Sequence, residues 1–226
     1  MTQPPDPGPA PMPRLLVLTD RHRAAAAGHT LEGALDAALD AGAPAIVLRE
    51  RDLPRPQRAR LAERLRTRTA TVGAQLWLGG DPELAADVGA DGVHLPSRAT
   101  VVRAPGLAVT GRSCHDADEV VEAVAAELDH VTISPVATTA STPGYGPPLG
   151  AEGVARLAAV AGALPVYTLG GVDVADVATW RAVGAYGVAV LGAVLGAAHP
   201  DRAVAELLAE LGASDEPPLH PAGGSP

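Results

Sequence analysis

The sequence contains no lysine, no asparagine and no phenylalanine, and a single cysteine, Cys114. All 17 basic side chains are therefore arginine. Schiff-base catalysis needs a lysine amine and is excluded. One cysteine excludes an internal disulfide and a cysteine-rich zinc site. With aromatics at 2 %, Ala, Val and Leu must fill the core. The net charge of −9 argues against a nucleic-acid partner. No apolar run reaches the length of a membrane span. The opening MTQPPDPGPAPMP lacks the charged and apolar regions of a signal peptide, so a cytoplasmic location with no membrane partner is expected. Arginine, which is present, binds phosphate through a planar fork.

Short apolar runs alternate with helical patterns along the chain. Strands are expected at Leu15 to Thr19, Ala45 to Leu48, Gln75 to Leu78, Val93 to Leu95, Leu107 to Ser113, Val131 to Ser134, Val166 to Leu169 and Gly187 to Leu191. Thr30, Asp81, Asp116 and Asp173 stand where helix N-caps belong, and Pro82 follows Asp81 at a first helical position. The Asp116 helix is expected to carry Val120, Val121, Val124 and Leu128 on its apolar face. Residues 96–105 are poor in helix signals. Eight such units in about 200 residues predict an α/β fold, a single (β/α)8 barrel spanning 14–211. The proline-rich residues 1–13 and the tail 212–226 are expected to be disordered. A doubly wound open sheet is the alternative, weakened by the lack of GxGxxG after the first strand.

In a (β/α)8 barrel the C-terminal ends of the strands form the active site. That rule collects Asp20, Arg49, Arg51, Asp81, His94, Ser113, His115, the long 135–150 loop with Thr138, Thr139, Ser141 and Thr142, and Gly170, Gly171 and Gly192. Glycines after strands seven and eight let backbone N–H groups approach a phosphate. His115, just past its strand, stands where a neutral-pH proton carrier is useful. His94, flanked by Val93 and Leu95, reads as a packed histidine lining the floor, and it is counted among the substrate-binding residues because it could face one ligand with His115. Gly171→Val is expected to weaken phosphate binding and leave the fold intact.

The pieces LLVLTD (15–20), LRERDLP (48–54), GADGVHL (89–95), GRSCH (111–115), ISPVATTASTPGYGPPLG (133–150), VYTLGGV (166–172) and GVAVLGAV (187–194) occur in order. Together they resemble the thiamine phosphate synthase and thiazole tautomerase family. The resemblance implies a small-molecule thiazole phosphate as ligand and leaves a homo-oligomer open. It implies that Arg49 and Arg51 are the diphosphate-binding basic residues, with Arg51 where a lysine is usual. It implies that Ser113, Thr139 and Ser141 are hydroxyls near the ligands. Gly170, Gly171, Leu191 and Gly192 correspond to the backbone clamp on the thiazole phosphate, and His115 to the acid/base of the tautomerase branch.

The chain also departs from the synthase pattern. The family's Asn-Asp pair after strand three is Gly79-Gly80 here, and the second magnesium carboxylate falls in the acid-free Pro96 to Ala99. The loop lysine falls at Thr142. Magnesium is usually held by one or two carboxylates plus substrate phosphates, leaving only Asp20 or Asp81 to help. The expectation is therefore no metal site and no cofactor, with magnesium only if the synthase reaction holds. Metal-independent tautomerisation by His115, with Arg49 orienting the substrate carboxylate, is put ahead of the synthase reaction. A non-catalytic barrel binding thiazole or thiamine phosphates comes third.

Overall fold

The computed structural model describes residues 12–138 and 147–213. Eight parallel strands close into a barrel in sequence order. They are β1 (Leu15–Leu18), β2 (Ala45–Leu48), β3 (Gln75–Gly79), β4 (Gly92–Leu95), β5 (Val109–Cys114), β6 (His130–Ile133), β7 (Val166–Leu169) and β8 (Gly187–Val190). Closure is made by β8 on β1, with Leu15 opposite Val188 and Val17 opposite Val190. The helices are α1 (Arg21–Ala26), α2 (Leu31–Asp40), α3 (Arg55–Val72), α4 (Pro82–Asp87), α5 (Ala117–Ala125), α6 (Gly150–Ala161), α7 (Val177–Ala182), α8 (Gly192–Leu195) and α9 (Pro200–Ala213).

Alternation along each strand separates two apolar layers. Leu15 and Val17 of β1 join the layer packed against the helices, whereas Leu16 and Leu18 join the layer containing Trp77, Tyr167 and Ala189. With no phenylalanine available, Trp77 and Tyr167 are the largest members of that second layer. Tyr186 donates its hydroxyl to Met12 O (2.7 Å), and Tyr167 donates to Pro13 O. The last two residues of the expected N-terminal tail are thus fastened to the barrel.

The expected caps form. Thr30 Oγ1 accepts from Gly33 N (3.1 Å), and Asp81 Oδ1 from Leu84 N (2.9 Å). Asp116 Oδ1 accepts from Glu119 N (2.9 Å). Asp173 accepts from Val174 N and starts a short 3-10 turn, Val174–Asp176, ahead of α7. On α5 the expected apolar face is too wide. Val120 and Ala123 are buried, but Val121 and Val124 are exposed, because one helix face meets the barrel and these two flank it. No helix joins β4 to β5, as the weak signals of residues 96–105 implied. Among the described residues, no helix is long and apolar enough to cross a membrane.

Candidate active site

A cavity of about 530 Å³ opens at the C-terminal ends of the strands. It brings together Arg49, Arg51, His94, Ser113, His115, Thr138, Gly170, Gly171, Leu191 and Gly192. Three further expected residues, Thr139, Ser141 and Thr142, lie outside the described residues. The cavity also gains Arg23, Ser134 and Asp173, which sequence reasoning passed over as site residues. Arg23 sits on α1, a helix of six residues, too short to give a periodic signal. Its guanidinium lies 3.9 Å from where a Gly192 β-carbon would stand. Among the described residues, Arg23, Arg49 and Arg51 against a single acid, Asp173, make the lining cationic inside an acidic protein. Such a cavity favours anionic ligands.

His115 is held at both ends. Its backbone N donates to Glu119 Oε2 (2.6 Å), the residue whose own N–H is capped by Asp116. Its ring Nδ1 lies 2.7 Å from Ser134 O, beyond the end of β6. A carbonyl can only accept, so Nδ1 carries the proton and the neutral ring keeps its lone pair on Nε2. The ring thus has a fixed tautomer at the cavity wall.

His94 lies between β3 and β5 on β4. It is buried yet reaches the cavity, with Nε2 at 3.1 Å from Ser113 Oγ and 3.3 Å from Thr132 Oγ1. Its Nδ1 lies 3.0 Å from Nε2 of His130. His130 opens β6, stacks on Trp77 and takes the edge of Tyr167. It fits because it faces Gly111, where a β-carbon would fall 2.0 Å from the ring. A histidine at a strand start facing a glycine two elements back leaves no sequence motif.

Burial pushes His130 down to about 3. Burial, with His130, Arg49 and Arg51 adding to it, holds His94 well below the usual imidazole range. Both folded values lie below the ordinary value near ~6.5. Below that pH the unfolded chain takes up protons that the native pair refuses. Stability should therefore be complete above about pH 6.5 and fall as pH drops below it, with the His130 contribution lost toward pH 3 by up to about 1.4 kcal/mol per pH unit and the His94 contribution adding in the same direction. Denaturant midpoints measured across this window should fall less steeply in His130→Phe than in the wild type. Equal slopes would contradict the assignment.

The glycines after β7 and β8 differ in what they tolerate. Gly171 has φ +76°, and a β-carbon there would lie 2.7 Å from Ala137 O. Gly171→Val would thus strain the backbone and collide with the neighbouring loop, which corrects the expectation that it leaves the fold intact. Gly192 is the cleaner probe, since its would-be β-carbon meets nothing nearer than the Arg23 guanidinium at 3.9 Å. Gly192→Ala should weaken binding of a phosphate ligand roughly tenfold, equivalent to ~1.4 kcal/mol, at an unchanged melting temperature. Calorimetry showing unaltered affinity would remove Gly192 from the clamp.

The residues present do not fit a carboxylate-held magnesium ion. Among the described residues, no group of three His, Cys, Asp or Glu could hold a metal. The ends of β3 and β4 offer Gly79, Gly80, Pro96 and Ser97. The nearby acids are otherwise committed. Glu50 accepts from Arg21 N (3.0 Å) and Nη1 (2.9 Å), and Asp52 takes the Arg21 fork at 2.6 Å. Asp20 caps α1 through His22 N and Arg23 N. Asp81 caps α4 and pairs with Arg58. The two acids left to assist a metal in the sequence reading are thus engaged by the scaffold, and neither lines the cavity.

Comparison with known proteins agrees with the barrel. Residues 15–194 match the family model described as thiamine monophosphate synthase. The thiamine-phosphate synthase of Salinispora tropica is 38 % identical over 206 residues, covering 88 % of this chain and 97 % of that relative. That of Salinispora arenicola is 41 % identical over 156 residues, covering 67 % and 74 %. Among solved structures, thiamine phosphate pyrophosphorylase from Pyrococcus furiosus superposes with a TM-score of 0.77 at 25 % identity, covering 90 % of this chain and 97 % of its own. A 3-hexulose-6-phosphate synthase, at 19 % identity and a TM-score of 0.62, shares the fold alone. With a match that runs from β1 into α8, the chain belongs to the thiamine monophosphate synthase family.

Proposed function

We propose that the chain is a thiamine phosphate synthase, joining a hydroxymethylpyrimidine diphosphate to a thiazole phosphate. The observation that carries this reading is the 38 % identity to a thiamine-phosphate synthase along nearly its whole length. The cavity supports it with two anion-binding corners. Arg49 and Arg51 stand past β2, and Arg23 with Gly170, Gly171 and Gly192 stands around the ends of β7 and β8. Two phosphorylated substrates need two such corners. In the reaction the thiazole nitrogen bonds to the pyrimidine methylene carbon as the carbon–oxygen bond to diphosphate breaks. The diphosphate leaves with the electron pair, and guanidinium groups stabilise the charge it gains. Incubating the purified chain with both substrates should release thiamine phosphate and pyrophosphate in equal amounts. Binding of both substrates with no product would overturn the reading.

This order reverses the one drawn from sequence, where the missing acids weighed more than the family as a whole. Tautomerisation stays as a second reading because of one observation, the His115 ring with its Nδ1 proton fixed by Ser134 O. That tautomer suits Nε2 to take a proton from a thiazole ring carbon.

A further inference from the structure

Three side chains form a line from the barrel interior to the cavity. His130 Nε2 lies 3.0 Å from His94 Nδ1, and His94 Nε2 lies 3.1 Å from Ser113 Oγ. Both histidines are buried, and Ser113 lines the cavity. The histidines stand on β4 and β6, with β5 between them. Gly111 of β5 is in register with His94 on one side and His130 on the other. A β-carbon there would fall 2.0 Å from the His130 ring, so the glycine is what lets the two rings meet across β5. Trp77 stacks on His130 at 4.6 Å and Tyr167 meets it edge-on, which holds the ring in place.

We infer that His130 is a positioning residue: acting through His94, it leaves the Ser113 hydroxyl to donate a hydrogen bond to an acceptor atom of the bound substrate. Among the described residues, His130 Nδ1 is buried and has no hydrogen-bond partner. Burial keeps both rings neutral, so each carries one N–H. A proton on His130 Nδ1 would be an orphaned buried donor, which folded chains rarely tolerate. The proton therefore sits on Nε2 and is donated to His94 Nδ1. His94 then carries its own proton on Nε2 and donates it to Ser113 Oγ, with Thr132 Oγ1 as a second acceptor at 3.3 Å. With its oxygen accepting, Ser113 keeps its hydrogen for the cavity, and each donation polarises the next. The inference rests on the synthase reading for its substrates, but not for the proton positions.

The test joins a spectroscopic and a binding measurement on the full chain. Nitrogen-15 NMR of histidine-labelled protein at neutral pH should show His94 and His130 both protonated on Nε2, with Nδ1 unprotonated. A His94 proton on Nδ1 would overturn the inference, because Ser113 would then have to donate to the ring. Hydroxymethylpyrimidine diphosphate and thiazole phosphate are next titrated by calorimetry with magnesium present. Ser113→Ala should weaken binding of one of them by about fivefold or more, and His130→Phe by about threefold or more. His130→Gln, whose amide can replace the lost donor, should recover most of that loss. In a Ser113→Ala background His130→Phe should cost no further affinity, since it acts through that hydroxyl. Losses that add, unchanged affinity in a folded His130→Phe protein, or no binding of either substrate by the wild type would each overturn the inference. The expected proton positions and coupled losses in a protein that forms no thiamine phosphate would leave the inference standing and remove the synthase reading. Thiamine phosphate formation with His94 protonated on Nδ1 would do the reverse.

Discussion

Arg49→Ala should lower kcat/KM for thiamine phosphate formation by about two to three orders of magnitude, the range seen when one charge-stabilising donor is removed from an active site. Arg49 follows β2 and lines the cavity, with its stem against Gly79. Its backbone N donates to Thr19 Oγ1 (2.9 Å), so the main chain is anchored independently of the guanidinium. Truncation removes charge from the site and leaves that anchor in place. The melting temperature should therefore stay near that of the wild type while turnover falls. Steady-state kinetics on a correctly folded variant would show it. A loss smaller than about threefold, below ~0.6 kcal/mol, would mean that Arg49 does not face the reacting diphosphate.

His115→Ala separates the two reactions. Tautomerisation requires a proton to move to or from carbon, and a positioned acid/base contributes ~10²–10⁴-fold to such a step. The synthase bond change needs no proton from His115. The variant should thus lose tautomer conversion by roughly two orders of magnitude or more while keeping thiamine phosphate formation within about tenfold, a loss of ~1.4 kcal/mol at most. His94→Ala differs in kind, because it removes a buried ring hydrogen-bonded to Ser113 and His130. It should destabilise the barrel as well as slow the reaction. Equal losses of both reactions in a stable His115→Ala protein would place the ring in substrate binding instead.

The strands were legible because strands covered on both faces are written as unbroken apolar runs, as in LLVL of β1 and AIVL of β2. The caps were legible because Thr30, Asp81 and Asp116 act on residues within their own first turn. The glycines at 79 and 80 were legible as missing acids, but the close approach of the Arg49 stem to Gly79 was not, since that contact joins two strand ends. Long-range partners explain the other omissions. His130 pairs with His94 across 36 residues, and Ser134 sets the His115 tautomer across 19. The incompatibility of Gly171 with a side chain comes from the Ala137 carbonyl, on a different loop. Arg23 reaches the cavity from α1, where six residues are too few for apolar periodicity to show.

The central claim is that this cationic cavity is a synthase active site, and one parallel assay tests it most directly. The purified chain is given hydroxymethylpyrimidine diphosphate with thiazole phosphate in one vessel, and the thiazole carboxylate phosphate tautomer alone in another. Products are followed by chromatography, with and without magnesium. The account predicts catalytic formation of thiamine phosphate with one pyrophosphate released per product. Conversion of the tautomer with no thiamine phosphate under any condition would contradict it and give the site to His115 chemistry.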